Sequence, residues 1–453
     1  NIRADAWKYR DWVIQSMNQD MPYDRFIALQ LAGDELEPEN ASARIATMFC
    51  LSGPDMPDIN SQQERRHQLL NEMTSTVASV LMGLQLECAQ CHDHKYDPLS
   101  QADFYRMRSI FEPAVHLVKN KSVGTLQEKN GTPPQSYLMV RGDYRRQGPP
   151  VSPAFPRIAN PAGRQLEANR PGAPSSGRRS ELVDWLTGPD HLLTSRVIAN
   201  RIWQYHFGRG LVETPSDFGI MGQAPSHPEL LDWLASELVR SGWSLKHIQR
   251  LILTSNAWQQ SSVPQADAVR IDAATRLLWR FPPRRLEAEA IRDSIVAVSG
   301  ALNPKMGGPG FSGFEVEMEN VRHFFPKVDY GPDDFRRMVY MTKIRQERES
   351  VFGAFDCPDA SQVISKRSRS TTPLQALNLL NSTFVVQQSE TLSKRLKKQN
   401  DSLAEQVQLA YLLCFGRNAD IDEASDAARF AKEFGLVSLC RGLLNSNEFL
   451  FIP

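Results

Sequence analysis

Apolar positions recur at helical spacing over most of this chain. In the stretch AWKYRDWVIQSM, Tyr9, Trp12, Val13 and Met17 fall on roughly one helical face. SQQERRHQLLNEMTSTVASVLMGL keeps the same period as far as Leu84. From Val118 to about Gly177 the period fails: GTPPQSYLMVRGDYRRQGPPVSPAFPRIANPAG is dense in Pro and Gly, with one strand candidate at Tyr137 to Val140. Helical patterns return from Ser180, in SELVDWLTG, SRVIANRIWQYHFG, HPELLDWLASELVRSG, SLKHIQRLILTSNAW and RLEAEAIRDSIVAVSG, the third punctuated by Ser226 and Gly242. A Gly-rich run, NPKMGGPGFSG, then precedes a second strand candidate, RRMVYMTKI, and further helical segments finish the chain. No repeat of fixed period shows, which argues against a solenoid. The pattern predicts a mainly α protein: two helical domains, 1–117 and 178–453, joined by a Pro/Gly-rich segment, 118–177, with minor β.

Length and charge narrow the function classes. A chain of 453 residues is long enough for two or three domains. Its 52 basic and 52 acidic residues leave no electrostatic footprint for nucleic acid or an anionic membrane. No run approaches the roughly 18 apolar residues that span a bilayer, so no transmembrane segment is expected. The chain starts at Asn1 inside helix-patterned sequence, and the true N-terminus, with any signal peptide, is expected upstream.

The sharpest chemical signal is LECAQCHDHKYDP, Leu86 to Pro98, which sets two cysteines and two histidines within seven residues. Cys88-Ala-Gln-Cys91-His92 is the pattern of c-type haem attachment. Two thiols about one helical turn apart can add to the two vinyl groups of one haem, and the adjacent imidazole then lies beneath the iron as axial ligand. With 6 cysteines and 9 histidines in the chain, independent placement gives roughly 0.002 occurrences of this pattern.

Two other readings compete. Cys88 and Cys91, with His92, His94 or Asp97, could hold a structural zinc ion, although no second Cys or His pair follows at a recognisable distance; His116 and Cys357 are isolated. A Cys88–Cys91 disulfide would suit a strand before the motif and a helix after it, whereas helical pattern precedes it.

The surrounding strings carry a resemblance. DWVIQSMNQDMPYDRFIALQLAGDEL, followed by LMGLQLECAQCHDHKYDPLSQADFYRMRSIF, resembles the first of two domains of unknown function found in large secreted planctomycete and verrucomicrobial proteins, usually behind a planctomycete cytochrome c domain. The second half is similar to the companion domain, through SELVDWLTGPDHLLTSRVIANRIWQYHFGRGLVETPSDFGIMGQAPSHPELLDWLASELVRSGWSLKHIQRLILTSNAWQQSS, RRLEAEAIRDSIVAVSG, MGGPG, FDCPDAS and STTPLQALNLLNSTFV. The resemblance covers nearly the whole chain; the leading cytochrome domain is lacking. It implies an exported, haem-associated protein, often encoded beside a secreted sulfatase-like hydrolase, which becomes a candidate partner together with an unidentified redox protein. The activity implied is electron transfer or haem-dependent oxidation serving breakdown of an extracellular substrate, with polysaccharide as the substrate class. The alternative is a non-enzymatic surface module, binding a glycan or a protein, with zinc at the Cys/His cluster.

Covalent haem attachment takes place outside the energy-transducing membrane, so a periplasmic or extracellular location is expected. A sixth ligand on the iron would favour electron transfer, and an open position would admit substrate. His206, among aromatic and arginine residues, is the distal candidate, and Met73 and Met82 lie near the motif. Each also has an ordinary structural reading, His206 as a hydrogen-bonded histidine and the methionines as core. His94 and Asp97 suit a role behind the ligands, orienting the imidazole or a propionate. Cys414 and Cys440 lie on apolar helical faces and read as buried thiols, while Cys357 sits in a turn. MGGPG lacks the Lys-Ser/Thr of a phosphate loop and reads as a tight turn, and Glu287, Glu289, Arg292 and Asp293 read as pairing along a helix surface.

Overall fold

Helix Gln62–Val77 shows how the pattern becomes structure. Ser61 caps it, its side chain accepting the Glu64 N–H, and His67, Leu70, Asn71, Met73, Thr74 and Val77 form its buried face. The helix widens into a π turn, Ala78–Met82, and stops at Gly83, whose left-handed φ of 63° a side chain would resist. A β-carbon on Gly83 would also lie 2.8 Å from the Phe218 ring, so the chain can turn there only as glycine.

This is a computed structural model that describes residues 5–53, 61–116, 126–166, 170–319, 322–349, 351–361 and 363–452. The protein is mainly helical: the described residues give 53% helix, 7% strand, 18 helices and only small sheets. Each sheet among the described residues has two strands. The strand candidate at Tyr137 becomes β1 (Ser136–Met139), antiparallel to β2 (Gln147–Val151). Of RRMVYMTKI, only Met341–Thr342 forms a strand, parallel to Phe311–Ser312, and Arg336 makes an isolated bridge to Asn303.

The chain packs as two compact units, 1–281 and 282–453. The Pro/Gly-rich stretch, as far as it is described, lies within the first. It packs because its polar groups find partners on neighbouring helices: the Ser136 hydroxyl donates to the Glu112 carboxylate, and Ala154 N–H donates to the Arg106 carbonyl. Residues 118–125 and 167–169 of that stretch lie outside the described residues.

An ionic knot holds the first unit together. Arg179, fully buried, donates two bonds to Asp34, at 2.6 and 2.8 Å, and one at 3.1 Å to the Leu31 carbonyl. Its guanidinium also lies 3.0 Å from Glu35, whose other oxygen accepts from the Ser180 N–H and hydroxyl. Burial alone would raise the Glu35 carboxyl; Arg179 and Ser180 reverse this and hold it below its ordinary value.

The second unit is built on helix Ala288–Ser299, whose Ile291, Ile295 and Val296 pack with Phe352, Phe355, Leu379 and Phe384. Its MGGPG loop is not a phosphate cradle. The carbonyls of Lys305, Gly307 and Pro309 converge on the Arg336 guanidinium at 3.1, 2.6 and 2.8 Å, which makes the loop a cradle for a cation.

Candidate functional site

Residues Leu86–Gln90 form a 3-10 turn, in which side chains three apart eclipse one another. Leu86 and Ala89 are both fully buried, and Cys88 and Cys91, offset from them, are both exposed free thiols. The same alternation that anchors the turn therefore presents the two sulfurs outward, about 6 Å apart along the axis of an ideal turn.

The backbone between the thiols is held from three sides. The Gln90 carbonyl accepts from Gln101 Nε2 at 2.9 Å and from the Tyr105 hydroxyl at 3.1 Å. Gln101 Nε2 also donates to the Met139 carbonyl of β1. The Gln90 side chain meets Asn71 and Ser75 of helix Gln62–Val77, at 3.2 and 3.3 Å. Above Cys91 lies the turn between β1 and β2, where Arg141 and Gly142 both take left-handed φ, 55° and 76°.

His92 is exposed, and its Nδ1 lies 2.7 Å from the Asp93 carbonyl. An imidazole can meet a carbonyl there only as a donor, so in the neutral ring the proton sits on Nδ1 and the lone pair on Nε2. That is the tautomer a metal-ligating histidine needs, set by the partner that usually sets it. Cys88, Cys91 and His92 thus share one exposed stretch with nucleophilic sulfur and a ligating nitrogen presented to solvent.

The other residues singled out in the sequence have different settings. His94 Nδ1 accepts the backbone N–H groups of Asp97 and Tyr96, at 2.8 and 3.3 Å, so that lone pair is already engaged. Asp97 is buried and accepts the Ile220 N–H at 2.7 Å, with Gly219 against its carboxylate. Both fasten the loop; the Asp93 carboxylate closes it further by accepting the Gln101 N–H at 2.8 Å. His206 Nδ1 meets the Ile202 carbonyl of its own helix at 2.8 Å, and its ring stands edge-on to Trp258 at 5.4 Å. None of the described partners of His206 belongs to the 86–97 loop. Met73 and Met82 are buried in the core.

Among the described residues no group of three or more His, Cys, Asp or Glu is arranged to hold a metal ion. All six cysteines are free, Cys88 and Cys91 included.

Sequence reading underrated one region of the second unit. Of Glu287, Glu289, Arg292 and Asp293, only Arg292 and Asp293 lie within ion-pair distance of each other, at 3.6 Å, and the hydrogen-bond partners of the four come from elsewhere in the chain. Arg367 reaches Glu287 and Glu289 at 3.0 and 2.8 Å, Asp293 accepts the Met338 N–H at 2.7 Å, and Arg292 is buried, donating to the Arg336 and Asp334 carbonyls. Three of the four, Glu287, Glu289 and Asp293, line a cavity of about 860 Å³. These hydrogen-bond partners lie 42 to 80 residues away in the chain, so local periodicity carried no trace of them.

Taken together, fold and site define a helical protein that displays a Cys-X-X-Cys-His turn on the surface of its first unit. The chain belongs to the PSD1 family of proteins of unknown function (DUF1553), whose model matches residues 178–431, and a second model of unknown function, PSCyt2 (DUF1549), matches residues 1–116. Both names refer to planctomycete cytochrome-c-associated domains, and no cytochrome c domain itself is shown in this chain. Comparison with curated proteins and with solved structures gave no match. The matched domains are of the secreted kind, which is compatible with an extracellular location. No helix among the described residues is long and apolar enough to cross a membrane.

Proposed function

We propose that this chain is an exported c-type haem protein. Cys88 and Cys91 carry the porphyrin through thioether bonds, His92 ligates the iron through Nε2, and the protein works in electron transfer or haem-dependent oxidation linked to breakdown of an extracellular substrate, polysaccharide being the class the family context favours. The observation that carries this reading is the bond between His92 Nδ1 and the Asp93 carbonyl, which leaves Nε2 free beside two outward, unpaired thiols. Haem supplies the redox chemistry when bound. The residues of this chain tether it and set the tautomer of its ligand, and Gln90, Gln101 and Tyr105 hold the turn that spaces the sulfurs. Zinc is the weaker alternative, because the loop engages Asp97 with Ile220 and His94 Nδ1 with backbone N–H groups.

The test is a pyridine haemochrome spectrum of protein matured with the haem-attachment machinery, read before and after acid-acetone extraction. Haem that resists extraction in wild type, and is absent from Cys88→Ala/Cys91→Ala, is the expected result. Colourless wild-type protein holding stoichiometric zinc would overturn the reading in favour of a structural zinc module.

A further inference from the structure

In the second unit a thiol and an amine are held within bonding reach of one another. Lys343 Nζ lies 3.0 Å from Cys357 Sγ, and Glu289 Oε1 lies 3.8 Å from the same sulfur. Cys357 is 8% exposed, whereas Lys343 is exposed at the cavity wall, beside Glu289, Pro358 and Ala360. Small solutes in that cavity therefore come as far as the amine that covers the sulfur.

The backbone fixes this geometry at some strain. Asp356 and Ala360, on either side of Cys357, both take left-handed φ, 60° and 59°, which non-glycine residues adopt only when their surroundings impose it. Asp356 is pinned by Arg285 at 2.7 Å and by the Ser370 N–H at 2.8 Å. The segment that follows Lys343 is tied to the same loop: Gln346 N–H donates to the Asp359 carbonyl at 3.0 Å, and Arg345 to the Ala360 carbonyl at 3.1 Å. Neither partner can drift far from the other. Among the described residues, the other buried thiols have no such neighbour within bonding distance; Cys50, for example, donates to the Gln30 carbonyl at 3.5 Å.

We infer that Cys357 and Lys343 form an oxidative modification site, at which hydrogen peroxide closes a covalent sulfenamide between Sγ and Nζ. In the first step the peroxide O–O bond breaks, an S–O bond forms, sulfur gives up two electrons, and one water leaves as the thiol becomes a sulfenic acid. In the second, the Lys343 amine, its ammonium proton released to solvent, attacks sulfur. The S–N bond forms, the S–O bond breaks, and hydroxyl departs with a nitrogen proton as the second water. One thiol, one amine and one peroxide thus give one sulfenamide and two waters. The preset 3.0 Å approach makes the second step effectively unimolecular, ahead of trapping from solution. The product staples the Cys357 loop to the segment after Met341–Thr342 and removes one cation from the cavity wall.

The experiment treats the full chain with one equivalent of hydrogen peroxide and maps its peptides by mass spectrometry, with dimedone present to trap free sulfenic acid. Wild type is expected to yield a Lys343–Cys357 cross-link lighter than the two peptides by two hydrogens, returned to the separate peptides by dithiothreitol. Lys343→Arg, checked for folding by circular dichroism, keeps the charge and removes the nucleophile. It should lose the cross-link and raise dimedone labelling of Cys357 several-fold. Cys357→Ser, checked likewise, should lose both signals. Equal dimedone labelling of Cys357 in wild type and Lys343→Arg, or a cross-link that retains oxygen, overturns the inference. Neither outcome bears on haem at Cys88 and Cys91, since no residue of that turn takes part.

Discussion

Gly142 is seated so closely on the Cys91 sulfur that a β-carbon there would lie 2.8 Å from Sγ. Its φ of 76° already disfavours any side chain. Gly142→Ala is therefore expected to destabilise the first unit by about 1–3 kcal/mol and to displace the turn from the thiol. Thermal unfolding reads the first effect. The second shows as a changed rate of Cys91 alkylation relative to Cys88, and unchanged rates would contradict the packing described.

His92 and His94 stand two residues apart and should behave oppositely. His92 is exposed, so His92→Ala should leave the stability of haem-free protein within about 0.5 kcal/mol. His94→Ala strands the Asp97 and Tyr96 N–H groups, at a cost of about 1–3 kcal/mol. Urea unfolding of the two variants side by side checks the contrast.

Arg179→Met should be among the most damaging single changes in the first unit. It leaves Asp34 and Glu35 buried without their cation, a situation that costs about 3–5 kcal/mol. Chemical denaturation measures it, and a loss below about 1 kcal/mol would show that water reaches those carboxylates.

Stability should fall in mild acid through histidines buried in the neutral form. Burial depresses His191 from 6.5 to about 4, its ring lying 4.3 Å from Trp185 and its Nε2 without a hydrogen-bond partner. Between those values the unfolded chain binds the proton and the folded chain does not, so the contribution is whole above about pH 6.5 and lost as pH falls toward 4. The loss is on the order of 3 kcal/mol. His67, held at about 4 by burial and by Arg108, adds a further loss over the same window. Denaturation midpoints across this range should flatten in His191→Phe, which keeps the aromatic packing and removes the titrating nitrogen.

Legibility differed between local and distant effects. The helices of both units were readable because their faces bury residues at helical spacing, as Leu70, Met73 and Val77 do. The Cys88–His92 motif was readable because its chemistry is compressed into five consecutive positions. What lay hidden depends on pairs far apart in sequence. Asp97 looked like turn chemistry or a ligand neighbour, yet its partner is Ile220. Cys357 looked like a lone thiol in a turn, yet Lys343 and Glu289 converge on it. His206, attractive among aromatic and arginine residues, spends its Nδ1 on its own helix. The Pro/Gly-rich stretch read as a joint between domains because Pro and Gly erase periodicity, but they do not prevent packing, and β1 docks on helix Gln101–Arg108 through Gln101.

The embrace of Asp34 and Glu35 by Arg179 crosses the gap between the two family matches, for the acids belong to the stretch 1–116 and the guanidinium to 178–431. Severing the gene in that gap would orphan a cation in one product and two anions in the other. In this chain the two matched stretches are accordingly joined inside one packed unit, and a truncation intended to isolate the Cys-X-X-Cys-His turn should run on to Phe281, where the first unit closes.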